Sequence, residues 1–336
     1  MRRAVVVANA SVPVGGGHLR RCLMLGEALV ARGWKVSVAL SDKNFARMLP
    51  ASKLMDILVV PVYAADVLIM AAPEGCDLLI VDHYGLDASF ESGCRGWTKR
   101  ILVVDDLADR RHDCDILVDQ TPGRESSVYQ HLVPARCQLL VGPGYALLHP
   151  NFGLLRDPRR PTPEHVQRGL ISFGATDPDD MTSVAIEAFQ TSGLRLSLDI
   201  ILGAGAPNIA RVKDKAARFA GGEARVNVDV SDPASIVRHA DIAIGAGGVS
   251  ALERCCLGVP SLIVSVADNQ LGNARGIAQA GGAAFVGEVS GLDCATIASE
   301  LLSLARDRKR RDVMARCGRE LCDGRGSGRI ADLVNA

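Results

Sequence analysis

Thirteen short apolar runs recur along this chain, most of them separated by longer segments of helical period. The first is AVVVANA. A helical pattern follows over residues 18–32, Gly33 stops it, and KVSVAL comes next, which reads as one β-α-β unit. MDILVV, CDLLIVDHY, RILVVDD, CDILVDQ and CQLLVG continue the rhythm, and after an interruption it restarts with GLISF, LSLDIILG, ARVNVDV, DIAIGA, VPSLIVSV and GAAFVG. A strand with water on one face alternates apolar and polar residues, whereas these runs are continuously apolar. Strands of that kind are buried on both faces, as in a parallel sheet covered by helices. The expected fold is α/β, with two Rossmann-like domains facing a cleft and ligands at the carboxyl ends of the strands.

The interruption is GLLRDPRRPTPEHVQR, residues 153–168, with three prolines and the arginines Arg156, Arg159, Arg160 and Arg168. The expected organisation is a first domain over 1–152, a linker over 153–168, and a second domain over 169–318. A helical segment over 319–336 could pack back on the first domain. At 336 residues the chain suits two domains of about 150 residues each. Lys plus Arg and Asp plus Glu both total 38, so no global field recruits nucleic acid or an anionic membrane. Aromatic residues, at 4%, are too few for a base-stacking surface. The ten cysteines contain no CxxC or CxxH pair at zinc spacing, and we read them as reduced thiols of a cytoplasmic protein. MRRAVVVANASV imitates a signal peptide, but its apolar run is short and a glycine-rich turn follows, so it reads as a first strand. No run reaches the roughly 18 apolar residues of a membrane span.

Three features stand at expected strand-to-helix turns. In VPVGGGHLRRC, Gly15 to Gly17 let a ligand approach the backbone, and His18 falls in the first turn of the following helix. The positive helix end disfavours imidazolium, which suits His18 to accept a proton from water. A dinucleotide loop is a rival reading, since Asp42 follows the second strand, but GGGHLRRC lacks the third glycine of that fingerprint. In IGAGGVSALERC, Gly245, Gly247 and Gly248 precede a helix starting near Ser250, an N-terminus suited to a diphosphate. Glu253, one turn in, suits a ribose diol. In SVADNQLGNARG, Asn269, Gln270 and Asn273 follow a strand directly, and their neutral amides suit sugar hydroxyls and acetamido groups. Two carboxylate clusters, VDHYGLD with Asp82, His83 and Tyr84 and VVDDLADRRHDCD with Asp105, Asp106, Asp109, His112, Asp113 and Asp115, could hold a divalent metal. Arg110 and Arg111 interrupt the second, and turn formation and helix capping explain it better.

Taken in order, GGGHLRRCLMLGEAL, VVDHYGLD, VVDDLADRRHDCDILVDQ, LLVGPGYALLHPNF, ISFGATDP, IGAGGVSALERCCLGVPSLIVSVADNQ and DGRGSGRIADLV resemble the UDP-sugar hydrolases of pseudaminic acid biosynthesis. These are relatives of the transferase that adds N-acetylglucosamine to the peptidoglycan lipid precursor. The resemblance covers nearly the whole chain. It implies a GT-B fold and hydrolysis of UDP-2,4-diacetamido-2,4,6-trideoxy-β-L-altropyranose to the free sugar and UDP, with no cofactor and no metal. The product's destination would be flagellin glycosylation or a surface polysaccharide. The resemblance makes His18 the essential histidine and places Gly247, Gly248, Ser250 and Glu253 on the uridine diphosphate. Asn269 and Gln270 would face the sugar, with Gly16, Gly17, Arg21, Tyr84, Gly174 and Asp177 also at the substrate. The chain departs from the family at Asn9, where an aspartate is usual, at Ala175 in GATD and at Ser250 in place of threonine. Asn9 predicts that His18 lacks an anionic partner, if the two groups touch.

Alternatives from other classes stay open on the sequence: a GT-B transferase handing a UDP-amino sugar to an alcohol, a non-catalytic UDP-sugar-binding protein, and a metal phosphohydrolase. The partner common to the first three readings is a UDP-sugar, with no nucleic acid and no stable membrane association. The sequence does not fix the oligomeric state.

Overall fold

The computed structural model describes residues 1–9, 17–41 and 55–336. They divide into two compact units, Met1–Leu148 with Arg325–Ala336, and His149–Gly324. Each of the thirteen apolar runs forms a strand. In unit 1 these are β1 (Arg3–Ala8), β2 (Lys35–Leu40), β3 (Met55–Val59), β4 (Cys76–Asp82), β5 (Thr98–Val104), β6 (Ile116–Asp119) and β7 (Gln138–Val141). In unit 2 they are β8 (Arg168–Ser172), β9 (Ser197–Leu202), β10 (Ala224–Val228), β11 (Ile242–Ala246), β12 (Ser261–Ser265) and β13 (Ala284–Glu288). Every observed pairing is parallel. The helices of unit 1 are α1 (Gly17–Val30), α2 (Ala65–Ala71) and α3 (Ala88–Cys94). Those of unit 2 are α4 (Pro150–Leu155), α5 (Met181–Thr191), α6 (Ile209–Ala217), α7 (Pro233–Val237), α8 (Val249–Cys256), α9 (Leu271–Gln279), α10 (Cys294–Arg306) and α11 (Arg308–Leu321); α12 (Gly326–Asn335) returns to unit 1.

The strand order of unit 1 is β3-β2-β1-β4-β5-β6-β7, so the winding reverses between β1 and β4. Their register sets Ala8 beside Asp82, the last residues of the two strands. α1 covers one face with Leu19, Cys22, Leu23, Leu25 and Leu29 buried in the core. That spacing is one helical face, and each fully buried leucine contributes about 1.5–3 kcal/mol. His18 and Arg21 lie on the same buried face at its amino end. Gly33 adopts φ +82, and its N–H donates to the Val30 carbonyl, which ends the helix.

Unit 2 has the order β10-β9-β8-β11-β12-β13, reversing between β8 and β11. In an open parallel sheet the crevice outside such a reversal is where ligands bind. The sequence set the first domain boundary at 152 and a linker over 153–168, whereas the units part between Leu148 and His149. Pro150 occupies the first turn of α4, and the His149 ring accepts the Asn151 N–H, so a helix starts there.

The carboxyl-terminal α12 completes unit 1. Ile330, Ala331 and Val334 join the core that holds α1 and β1. Arg32 Nε pairs with Asp332 at 2.7 Å, and Trp34 Nε1 donates to Asn335 Oδ1 at 3.1 Å. At its start, a Cβ on Gly326 would lie 2.3 Å from the Ala146 carbonyl oxygen and 2.5 Å from the Ala146 nitrogen, a backbone approach only glycine permits. Gly328, in the same helix, has only the tip of the Arg32 side chain within 4 Å of its added Cβ. Gly326→Ala is expected to lower stability by about 1–3 kcal/mol, and Gly328→Ala to raise it by about 0.5–1 kcal/mol. Urea unfolding of both variants checks this, and equal effects would contradict the packing of α12.

Candidate active site

His18 is held at the carboxyl edge of the unit 1 sheet. Its Nδ1 lies 2.6 Å from Asp82 Oδ1, and Asp82, closing β4, is 1% exposed. A carboxylate only accepts, so this contact puts the ring proton on Nδ1. Arg21 Nη2 also approaches that nitrogen, at 3.2 Å, but it makes the shorter bond of 2.7 Å to Asp82 Oδ1. Nε2 is then the ring nitrogen with a lone pair. Arg21, one turn after His18, clamps the same carboxylate through Nε to Oδ2 at 2.6 Å, and its Nη1 reaches Asp106 Oδ2 at 2.7 Å. Cys22 Sγ donates to Asp82 Oδ2 at 3.4 Å. Tyr84 closes the group, its hydroxyl donating to Asp106 Oδ1 at 2.9 Å and its ring meeting His18 edge-on at 4.5 Å.

Burial alone would raise the Asp82 carboxyl, but the Arg21 guanidinium and His18 outweigh it and hold Asp82 well below the usual carboxylate range. Burial, with Asp82 beside it, pushes the Cys22 thiol well up, so it stays a donor. For Arg21, burial works against the charge, and Asp82 with Asp106 more than restores it.

Asn9 stands where an anionic partner of His18 was expected, yet the partner is Asp82, 64 residues away from His18 in the chain. Asn9 contributes its backbone N–H to the Asp82 carbonyl at 2.8 Å. Parallel pairing of β1 with β4 causes this, because neighbours across a sheet need not be neighbours in sequence. Asp82 and Asp106, read as metal candidates, hold Arg21 and the histidine. The remaining carboxylates of the second cluster meet arginines as well: Asp105 and Asp109 pair with Arg110, and Asp113 and Asp115 with Arg95. Among the described residues no group of three His, Cys, Asp or Glu side chains could hold a metal ion. Gly15, Gly16 and Asp42 lie outside the described residues. Gly17 opens α1, and a Cβ there would meet nothing within 4 Å.

Unit 2 builds its candidate site on the turn between β11 and α8. Gly248 is the N-cap and offers no side chain to the first N–H groups of α8, of which that of Ala251 returns to the Gly248 carbonyl at 3.0 Å. Ser250 and Glu253 are half-buried on that helix. Neighbouring amides fix the turn: Gln270 Oε1 accepts the Gly247 N–H at 3.1 Å, and Asn273 Nδ2 donates to the carbonyls of Gly247 and Gly248 at 2.5 and 3.0 Å. Gln270, expected to face a sugar, thus spends its carbonyl on the backbone turn. Asn269 lies in the short turn before α9. Gly174 adopts φ +95 in the loop after β8. Asp177 caps α5, its two oxygens accepting the N–H groups of Met181 and Thr182, so its carboxylate is committed to the fold. Arg254, fully buried beneath the turn, was not singled out by its sequence.

The two parallel-sheet units define the GT-B class of fold. Over essentially its full length the chain superposes on Acinetobacter baumannii MurG (TM-score 0.69, 16% identity, 100% of this chain and 99% of that one). It likewise matches the calicheamicin glycosyltransferase CalG4 (TM-score 0.64, 16% identity, 99% and 98%). No protein-family model matches the chain. Among curated proteins it is similar to the spore coat polysaccharide biosynthesis protein SpsG of Bacillus subtilis, 25% identical over 77% of this chain and 76% of that protein. It is 30% identical to the UDP-2,4-diacetamido-2,4,6-trideoxy-β-L-altropyranose hydrolase of Campylobacter jejuni, over 43% of this chain and 51% of that one. An N-acetylglucosamine transferase acting on pyrophosphoryl-undecaprenol, from Phenylobacterium zucineum, is 26% identical over 99% and 98%.

The Asp82 cluster has a pH signature. Its folded value lies below the unfolded carboxylate value of about 3.9, so its contribution is complete above pH about 4 and is lost as pH falls further. Asp82→Asn leaves Arg21 short of its main partner and is expected to cost about 3–5 kcal/mol at pH 7. Below pH about 4 the gap between variant and wild type should narrow by about 1.4 kcal/mol per pH unit. Urea midpoints at pH 7, 4 and 3 test this, and a gap independent of pH would contradict the pairing.

Proposed function

We propose that the protein hydrolyses a UDP-linked diacetamido sugar, UDP-2,4-diacetamido-2,4,6-trideoxy-β-L-altropyranose being the substrate that the Campylobacter jejuni relative's name suggests. The observation that carries the reading is His18, whose Nδ1 is bound by buried Asp82 while Nε2 is left to accept a proton. In this reading the β11–α8 turn takes the nucleotide, with Glu253 on the ribose and Asn269 near the sugar, and His18 is the base. Water attacks the anomeric carbon while Nε2 takes its proton. A carbon–oxygen bond forms, the bond from the anomeric carbon to the diphosphate oxygen breaks, and the electron pair leaves with UDP. The proton held on His18 then passes to solvent. Asp82 stabilises the imidazolium as it forms, and the α8 amino end supports the charge growing on the diphosphate.

A second reading is transfer of the sugar to an alcohol. It draws support from the full-length superposition on glycosyltransferases. The same base would then take the acceptor's proton rather than water's. Among the described residues no helix is long and apolar enough to cross a membrane.

UDP release from a small panel of UDP-diacetamido sugars, with and without a chelator, tests the first reading, and product analysis with added alcohols separates it from the second. His18→Ala is expected to lower the turnover number by about 10² to 10⁴ while leaving UDP binding in place. Turnover at the wild-type rate would remove His18 from the chemistry.

A further inference from the structure

Arg254 sits in the second turn of α8, 1% exposed, and its side chain runs back towards the helix's amino end. Nη1 donates to Ser172 Oγ at 3.1 Å and to Ser250 Oγ at 3.4 Å, and Nη2 to the Ala246 carbonyl at 2.9 Å. Ser172 and Ala246 are the last residues of β8 and β11, so the guanidinium lies where the strand order reverses. Room is made for it by Gly245, where a Cβ would lie 2.8 Å from Nη1 and 2.2 Å from the Ser172 carbonyl oxygen.

The acceptors it meets are neutral oxygens. Nε is buried with no partner, and among the described residues Arg254 makes no ion pair. Burial lowers its pKa to about 10, which leaves it charged at neutral pH. Arg21, at the corresponding reversal of unit 1, is met by two carboxylates. Glu253, its neighbour in the chain, offsets the burial only in part, and among the described residues no carboxylate is in hydrogen-bond contact. A buried charge so placed is costly, and an apolar side chain of similar length would fill the same space without that cost. A ligand bearing negative charge at the turn above would supply the counter-charge. Ser250 Oγ, accepting from Arg254, has its own O–H left to donate, and Ser250 is half-buried rather than sealed in.

We propose that Arg254 is a positioning residue for a diphosphate: its charge, relayed through the Ser250 hydroxyl, holds the pyrophosphate of a nucleotide on the amino end of α8. This rests on the reading of unit 2 as the nucleotide site, and it adds a selectivity. Affinity should depend on the number of phosphate charges through Arg254, and contacts to the nucleoside should not.

Calorimetry on the full chain with UDP, UMP, uridine and inorganic pyrophosphate, for wild type, Arg254→Met and Arg254→Lys, tests it. Arg254→Met should weaken UDP and pyrophosphate by at least about tenfold, UMP by less and uridine not at all. Its ligand-free unfolding midpoint should equal or exceed that of wild type. Arg254→Lys, which keeps the charge, should retain much of the preference for UDP over uridine, and carries the test should the methionine variant not fold. UDP affinity unchanged in Arg254→Met, or a loss shared equally by uridine and UDP, overturns the proposal and leaves the nucleotide reading standing. Wild-type binding of pyrophosphate with no preference for uridine nucleotides overturns the nucleotide reading and leaves the role of Arg254 standing. Failure of wild type to bind any of the four overturns both.

Discussion

The contact between Asp82 and His18 is the constraint around which unit 1 is arranged. A carboxylate removed from water is expensive unless its lone pairs are filled, and Asp82 accepts from His18 Nδ1, Arg21 Nε and Nη2, and Cys22 Sγ. All four donors come from three residues on the first turns of α1, so the helix cannot rotate or slide without stranding the charge. The strand end that carries Asp82 is fixed in turn by its register with β1. Apolar packing along α1 supplies the bulk of the stability, and the carboxylate supplies the register at which that packing occurs.

Each unit places an arginine where its strand order reverses, and the two are compensated in opposite ways. Arg21 is neutralised within the protein by Asp82 and Asp106, which also leave negative charge close to His18. Arg254 finds only hydroxyl and carbonyl oxygens. The first arginine is fully paired with carboxylates of its own unit, while the second has no carboxylate in hydrogen-bond contact among the described residues.

The strands were legible in the sequence because burial on both faces demands continuous apolar residues, and all thirteen runs became strands. Gly33 could be read as a helix stop because only the left-handed region serves there. His18 stood out as the histidine following a glycine-rich turn, and the fold sets it on a buried carboxylate. Its partner was not. Asp82 stood in VDHYGLD as one carboxylate among several, and only the pairing of β1 with β4 shows which of them faces the ring. Asn9 misled for the same reason, since closeness in sequence to the glycine turn was taken for closeness to the imidazole. Arg254 was missed differently. It looks like an ordinary solvated helix charge, yet Ala251, Arg254 and Cys255 fall at helical spacing on the buried face of α8. A charge on the apolar face of an amphipathic helix was the available signal.

The amides after β12 show how side chains can hold a backbone turn far from them in sequence. Gln270 and Asn273 were read as sugar contacts because amides both donate and accept. In the fold Gln270 takes the N–H of Gly247, and Asn273 takes the carbonyls of Gly247 and Gly248. A turn built around two successive glycines is entropically costly to order, and three side-chain hydrogen bonds fix it before any ligand arrives. Gly247 is also closed in by Ala274, which would lie 3.0 Å from an added Cβ, so the glycine cannot be exchanged for a stiffer residue without displacing α9. Rigidity of the turn is therefore obtained from the side chains of Gln270 and Asn273, together with the Ala251 N–H, which donates to the Gly248 carbonyl at 3.0 Å.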